Sequence, residues 1–203
     1  GLMDPSVLVD SVTAIGVNSS VNLNYLTNIA LQPVYLVQFG SLSVDLDPNT
    51  PVSDHLVMGS VGSTLASFKF AAGSAEDINI NEIVLSDLLD TIGSHWTIKN
   101  IRMYDGSTQI GQAINLTGSN VSSTAPYVNA VFAGLNWIVP KNTNKILTIR
   151  ADVTTYDAGG ISGSGHTIAI QSHPSNSNTI GITATGASSG SSITTNVVGS
   201  VIH

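Results

Sequence analysis

The stretch WTIKNIRMYDGSTQIGQAI, residues 96–114, decides the fold class that we predict for this chain. Residues 96–104 form a strand-like segment, the pair Asp105-Gly106 follows it, and a second strand-like segment returns over residues 108–114. An Asp-Gly pair between two such segments is a strong signal for a tight hairpin turn. We therefore predict an antiparallel pair of strands here, and the flanking sequence has the same character.

Short strand-like segments separated by Gly, Ser and Asn turns occupy most of the remaining chain. A change of phase at Asn81-Glu82 predicts a β-bulge, and residues 86–92 are the one segment predicted as a helical turn, with Ser86 as its cap. So many short strands with almost no helix predict an all-β fold, a β-sandwich. The further predicted strands are residues 6–17, 34–39, 41–47, 64–71, 77–85, 127–132, 135–139, 146–153, 166–172, 179–185 and 193–202.

The chain is predicted to consist of an N-terminal strand-forming extension, residues 1–39, and a β-sandwich domain, residues 40–203. One interpretation is that a strand of the extension pairs with the sheet edge of another subunit. The other is that this strand is the first of its own sandwich. The apolar residues that would face the neighbouring subunit are Val7, Val9, Val12 and Ile15.

Low charge is the most unusual property of the composition. Charged residues make up 9% of the chain, against about 25% in an ordinary soluble domain. A polar but nearly uncharged surface suits a protein that packs against other copies of itself, or one that carries sugar. Six Lys and Arg residues with a net charge of −7 provide no basic cluster for nucleic acid. No apolar run approaches the roughly 20 residues of a membrane span.

No pattern of catalytic residues stands out, so we predict that the chain is not an enzyme and needs no cofactor. Residues 186–190, GASSG, match the nucleophile elbow of hydrolases, but the helix and the downstream Asp that the motif requires are missing. We interpret the match as chance. The five histidines show no metal-binding spacing and are interpreted as isolated, solvent-facing or edge residues.

One segment has a weak resemblance to a calcium loop. Asp45, Asp47 and Asn49 alternate at the start of a loop, and alternating carboxylate and amide oxygens suit calcium. The glycine and the bidentate glutamate of a full EF-hand loop are absent, however. Asp and Asn are also ordinary residues for opening a turn, and both interpretations stay open.

Glycans enter the predictions in two ways. The triplets that begin at Asn18, Asn115 and Asn120 match the acceptor pattern for N-glycosylation. Trp96, Trp137 and the five tyrosines would provide a platform for binding sugars if they were grouped on one face. Scattered along strands, such residues more often pack in the core or at a sheet edge.

Residues 40–203 resemble a family of Ig-like β-sandwich repeats in bacterial surface proteins. In that family a strand ending in Tyr-Asp-Gly precedes a short hairpin, and a late strand ends in Ala-Asp. The resemblance implies an Ig-like sandwich with an extracellular structural role and no catalysis. A looser likeness, in layout only, is to filament subunits that donate an N-terminal strand. The stretches that carry the resemblance are GSLSVDLD at 40–47, FKFAA at 68–72, EDINI at 76–80, NIRMYDGST at 100–108 and LTIRADV at 147–153.

These observations lead to one prediction of function and one alternative. The prediction is a structural subunit of an extracellular, pilus-like filament on the cell surface, a homopolymer joined by strand donation between neighbours. The alternative is an adhesin or carbohydrate-binding module of a cell-surface or surface-layer protein. Aromatic residues grouped at one exposed end of the sandwich would favour the alternative.

Overall fold

A computed structural model describes residues 8–9, 12–15, 17–19, 22–25, 29–30, 39–51, 55–90, 92–118, 127–170, 181–198 and 200–202. The chain divides into two compact units, residues 1–38 and residues 39–203. Each unit has its own strand pairs.

The N-terminal unit contains two nested pairs of short antiparallel strands. β1 (Leu8–Val9) pairs with β4 (Ile29–Ala30), and β2 (Val12–Ile15) pairs with β3 (Asn22–Tyr25). The segment predicted as one strand, residues 6–17, therefore contributes two short strands with different partners in the same unit. Its role as a subunit contact stays a prediction.

The second unit is a sandwich of two sheets, which confirms the all-β prediction. One sheet has six strands in the order β14-β5-β6-β11-β8-β9, and the other has five, β10-β7-β12-β15 with β13 beside β7. Among the described residues there is no α-helix, and a single 3-10 turn lies at Tyr156–Ala158. The strands are β5 (Leu42–Leu46), β6 (Ser63–Ala72), β7 (Ile78–Leu89), β8 (Ile98–Asp105), β9 (Thr108–Ile114), β10 (Tyr127–Val139), β11 (Asn144–Val153), β12 (His166–Ile170), β13 (Ile182–Gly186), β14 (Thr195–Val198) and β15 (Ser200–Ile202).

The core lies between the sheets and follows from strict alternation of side chains along the strands. On β6, Phe68 and Phe70 are fully buried, whereas Lys69 between them is only half-buried. Phe70 meets Trp137 of the opposite sheet edge to face, with ring centroids 5.0 Å apart. Such aromatic pairs add to the stabilisation that burial of apolar area provides.

β7 is the central strand of the five-stranded sheet, and it corrects one prediction. The helical turn predicted for residues 86–92 is wrong, because β7 continues to Leu89 and pairs there with both β10 and β12. Pairing of this segment with a strand on each side outweighs the weak preference of its own residues for a helical turn. The predicted bulge is confirmed, since Thr183 and Ala184 oppose Glu82 and Ile80 and leave Asn81 unpaired in that ladder.

Two further segments differ from the predicted strands. Residues 127–139 form one strand rather than two, and its register shifts around Gly134 and Asn136, which both have positive φ. Residues 193–202 were predicted as one strand but contribute to both sheets, with β14 parallel to β5 and β15 antiparallel to β12. The predicted hairpin at Asp105-Gly106 is confirmed, with Gly106 at φ 61°.

Candidate functional site

Three long connections meet at one end of the sandwich, which we call the loop end: residues 55–62, 92–97 and 154–165. They meet because β6, β8 and β12 begin at this end, while β7 and β11 finish there. Backbone hydrogen bonds join them to the strands and to one another. Gly59 N–H donates to Val153 O over 3.0 Å, and Thr154 N–H donates to Thr97 O over 2.8 Å.

The loop end exposes an unusual set of large apolar side chains. Its three segments contain one residue with a formal charge, Asp157, apart from the histidines. An exposed apolar cluster of this kind commonly marks a binding surface. The exposed members are Val57, Val61, Ile92, Trp96, Tyr156 and Ile161.

A cleft of about 440 Å³ opens into the loop end. Its polar groups are mainly the side chains of Thr97, Ser164 and His166, together with His55 and Ser162 at the rim. A largely apolar cleft with a few convergent polar groups is the usual form of a small-molecule site. The apolar side chains that line it are Leu56, Met58, Ile98, Val153 and Ile161.

Asp87, His166 and Ser164 form a hydrogen-bonded array at the base of this cleft. Asp87 Oδ2 lies 2.7 Å from His166 Nδ1, and the side chains are 0% and 3% exposed. Ser164 Oγ lies 3.1 Å from His166 Nε2. The Ser164 hydroxyl also donates to Ile161 O over 3.0 Å. An acid, an imidazole and a hydroxyl are therefore connected in one line from the core to the cleft.

The sequence analysis missed this array. The interpretation of the histidines as solvent-facing or edge residues is wrong for His166, which is buried and paired with a carboxylate. Its partner Asp87 lies 79 positions earlier in the chain, so no local spacing reveals the pair. The available signal was Gly163-Ser164-Gly165-His166, a hydroxyl and an imidazole two residues apart at the start of an alternating strand.

A second groove of about 390 Å³ lies beside the indole of Trp96, which is 62% exposed. The His95 and Trp96 rings are 4.4 Å apart and inclined by 36°. The Trp96 backbone is fixed, because its N–H donates to Ser94 Oγ over 3.4 Å and its carbonyl accepts from Thr154 Oγ1 over 2.6 Å. Trp137 is buried instead, so the two tryptophans have different roles.

The opposite end of the sandwich, which we call the turn end, is organised by Glu76. Its carboxylate accepts hydrogen bonds from Gly40 N, Ser188 N and Ser189 N at 3.2, 3.0 and 2.9 Å, and from Ser189 Oγ at 2.8 Å. The Ser189 N–H and hydroxyl contribute most to lowering the pKa of Glu76 to about 2 from 4.5. Glu76 is buried, and its carboxylate is held by the chain itself.

The GASSG stretch is the turn that Glu76 holds. Ala187 to Ser189 form the turn after β13, and no helix follows among the described residues. A Cβ atom at Gly186 would collide with the Glu76 carboxylate. The close approach of these two segments of the chain therefore requires glycine. This geometry is a structural turn and lacks the strand-to-helix corner of a nucleophile elbow.

Asp152 connects the loop end to the middle of the six-stranded sheet. Its carboxylate accepts from Gly62 N at 2.9 Å, from Asn100 Nδ2 at 2.9 Å and from Arg102 Nη2. Burial raises the pKa of Asp152, but these hydrogen bonds and the Arg102 charge together outweigh it and hold the pKa below its ordinary value. At the turn end Asp105 accepts from Lys145 Nζ at 2.7 Å.

The remaining predicted site residues stay apart. Asp45 is exposed on β5, whereas Asp47 is buried and its Oδ1 accepts from Asn49 N at 2.8 Å, which is the geometry of a turn-opening residue. In the described part of the chain no three His, Asp or Glu side chains are grouped to hold a metal. Calcium binding by Asp45, Asp47 and Asn49 stays a prediction.

The predicted glycosylation and subunit-contact residues are only partly described. Asn18 and Asn115 are exposed, and Asn115 Oδ1 accepts from Asn100 N at 2.8 Å. Ile15 is 64% exposed. Asn120 and Val7 lie outside the described residues, as do the side chains of Val9 and Val12.

The edge strands of both sheets share a property that bears on assembly. β9, β10, β14 and β15 contain no Asp, Glu, Lys or Arg. The charged residues within the sandwich strands lie on β5, β6, β7, β8 and β11, each of which has a neighbour on both sides. Charges on edge strands are one of the features that discourage pairing with another chain, and these four described strands lack them.

No protein-family model matches this sequence, and no curated protein is significantly similar to it. The resemblance to Ig-like repeats of bacterial surface proteins therefore stays a prediction. The described residues include no helix long and apolar enough to cross a membrane.

Proposed function

We propose that this chain is a structural subunit of an extracellular, pilus-like filament. In this proposal, a strand of the N-terminal unit of one copy pairs with a sheet edge of the next copy. The observation that carries the proposal is the absence of charge from the edge strands β9, β10, β14 and β15. An edge without charged side chains does not repel an incoming strand, which can pair with the free backbone donors and acceptors of that edge.

The distribution of the acidic residues supports the same proposal. Of the 13 Asp and Glu residues, several are occupied with holding loops and turns of their own chain. Glu76 and Asp152 are the most fully bonded, and Asp77 accepts from Lys141 N at 2.9 Å. Ion pairing of Asp152 with Arg102 and of Asp105 with Lys145 neutralises two of the carboxylates and so lowers the repulsion between copies. A head-to-tail contact that does not close into a ring then produces a fibre.

Electron microscopy of the full chain tests this proposal with two matched substitutions. Ile15→Asp places a charge on an exposed residue of the N-terminal unit, so its folding cost is small. Val61→Asp places the same charge on an exposed residue of the loop end. We expect fibres from the wild type and Val61→Asp, and dispersed particles from Ile15→Asp. Fibres from Ile15→Asp at the wild-type level would contradict strand donation by this segment.

A second candidate function is carbohydrate binding at the groove beside Trp96. One observation favours it: the exposed aromatic side chains Trp96 and Tyr156 lie at the same end of the sandwich. An exposed indole offers an apolar face to a sugar ring, while Lys99 and Asn115 along the groove provide hydrogen-bond donors. The groove therefore combines the two kinds of contact that a glycan needs.

Binding to a glycan array tests this candidate with full-length protein. Trp96→Ala should lower affinity for any bound glycan by roughly tenfold or more, the loss typical of an aromatic anchor. Ile161→Ala is the matched control, because it removes an exposed apolar side chain of the same end outside this groove. No binding by the wild type, or equal binding by Trp96→Ala, would reject the candidate.

A further inference from the structure

We propose that Ser164 is a nucleophile that His166 and Asp87 activate, and that it attacks short-chain carboxylic esters bound in the cleft of the loop end. The geometry of the three side chains carries this inference. The two contacts, 2.7 Å from Asp87 Oδ2 to His166 Nδ1 and 3.1 Å from His166 Nε2 to Ser164 Oγ, lie within the range for a nucleophile, its base and an orienting carboxylate.

Each residue has a position that suits its role. Asp87 is fully buried on the central strand β7, where it fixes the imidazole and favours a proton on Nδ1. His166, at the start of β12, presents Nε2 toward the cleft. Ser164 is half-buried and lines the cleft directly. The polar line therefore ends at a hydroxyl that a bound molecule can reach.

The chemistry begins with a rotation of the Ser164 hydroxyl hydrogen from Ile161 O to His166 Nε2. Oγ then attacks the ester carbonyl carbon, and its proton moves to Nε2. Collapse of the tetrahedral intermediate breaks the bond to the alcohol oxygen, which takes the proton from Nε2. Water repeats the sequence on the acyl-serine, releasing the carboxylic acid and restoring the hydroxyl.

The walls of the cleft indicate the substrate class. Five apolar side chains line the cleft and no Asp, Glu, Lys or Arg is among its lining residues, so an aliphatic acyl group is favoured over a charged one. Thr97 Oγ1 accepts from Ile161 N over 3.3 Å, which leaves the Thr97 hydroxyl hydrogen available as a donor inside the cleft. We assign that hydroxyl to the carbonyl oxygen of the ester, where negative charge develops during attack.

Labelling with a fluorophosphonate tests the nucleophile without depending on turnover. The full chain is treated with the probe and the modified residue is located by mass spectrometry, and hydrolysis of p-nitrophenyl butyrate is measured in parallel. We expect label on Ser164 and none in Ser164→Ala. Ser188→Ala is the matched control, because Ser188 is an exposed serine of the GASSG turn at the turn end and does not line the cleft, and this variant should label like the wild type.

A second variant separates activation from simple exposure. Asp87→Asn should slow labelling and hydrolysis by about 100-fold or more, as expected when base catalysis is lost, with circular dichroism confirming that the variant is folded. If Asp87→Asn does not fold, the comparison of Ser164→Ala with Ser188→Ala decides alone. Absence of label on wild-type Ser164, or equal hydrolysis by the wild type and Ser164→Ala, would overturn the proposal.

Discussion

The connections between strands differ at the two ends of the sandwich. At the turn end, short connections are bound by carboxylates: Glu76 holds the turn after β13, and Asp77 holds Lys141 N. At the loop end, longer connections expose apolar side chains around two concave surfaces. The buried Asp87–His166 pair lies beneath one of these surfaces.

This difference indicates a division of labour. Hydrogen bonds between a carboxylate and backbone N–H groups fix a turn. They also give an acceptor to N–H groups that folding removes from water. Exposed apolar groups at the loop end contribute little to folding and remain available for contact with another molecule. We therefore expect stability to depend on the core and the turn end, and binding to depend on the loop end.

The largest expected effect comes from the core beside the turn end. Phe70→Ala removes a fully buried ring that packs against Trp137 and should lower the free energy of unfolding by about 3–5 kcal/mol. Trp96→Ala removes a larger but exposed ring and should change the free energy of unfolding by less than about 0.5 kcal/mol. Urea unfolding of both variants measures the contrast, and similar losses would contradict the division.

An intermediate effect is expected where the loop end is tied to the sheet. Asp152→Ala leaves Gly62 N and the Asn100 amide without their acceptor and Arg102 without its ion pair. The free energy of unfolding should fall by about 1–3 kcal/mol. Exposed Asp157 in the same end provides the control, and Asp157→Ala should unfold like the wild type.

Glu76→Gln should cause the smallest of the three losses of stability, and this loss should depend on pH. The folded pKa of Glu76 is about 2, below the ordinary value of 4.5, so its ionised form stabilises the fold above pH 4.5. That contribution is lost as the pH falls from 4.5 toward 2. Glu76→Gln should therefore unfold more easily than the wild type at pH 7, and the difference should shrink at acid pH.

The measurement is thermal unfolding of the wild type and Glu76→Gln at pH 7 and at about pH 2.5. At the lower pH most of the stabilisation from ionised Glu76 is lost. A difference in unfolding temperature that is equal at both pH values would show that the charge of Glu76 has no part in holding the turn.

The sequence predicted those parts of the fold that depend on neighbouring residues. Alternation revealed β5, β6 and β11, and Asp105-Gly106 revealed the β8–β9 hairpin. The sequence did not predict the segments whose structure depends on strands distant in sequence. Residues 86–89 belong to β7 only because β10 and β12 pair with them.

The candidate site shows the same limit. Asp87 and His166 are brought together by the β7–β12 ladder and by alternation that turns both side chains inward. Asp87 has no recognisable partner near it along the chain, and Ser164 is the one member of the array that lies near His166 in sequence. The sequence did not separate the exposed Trp96 from the buried Trp137, because both lie within predicted strands, residues 96–104 and 135–139.

The parallel pairing of β14 with β5 has a mechanical consequence. The two strands run in the same direction, Leu42 opposite Thr195 and Asp45 opposite Val198. Tension applied to the chain before β5 and after β14 would pull them past each other along their length. The bridging backbone hydrogen bonds would then share the load and break together, whereas an unzipping geometry breaks them in turn. The β5–β14 pair therefore resists stretching between the start of β5 and the end of β14.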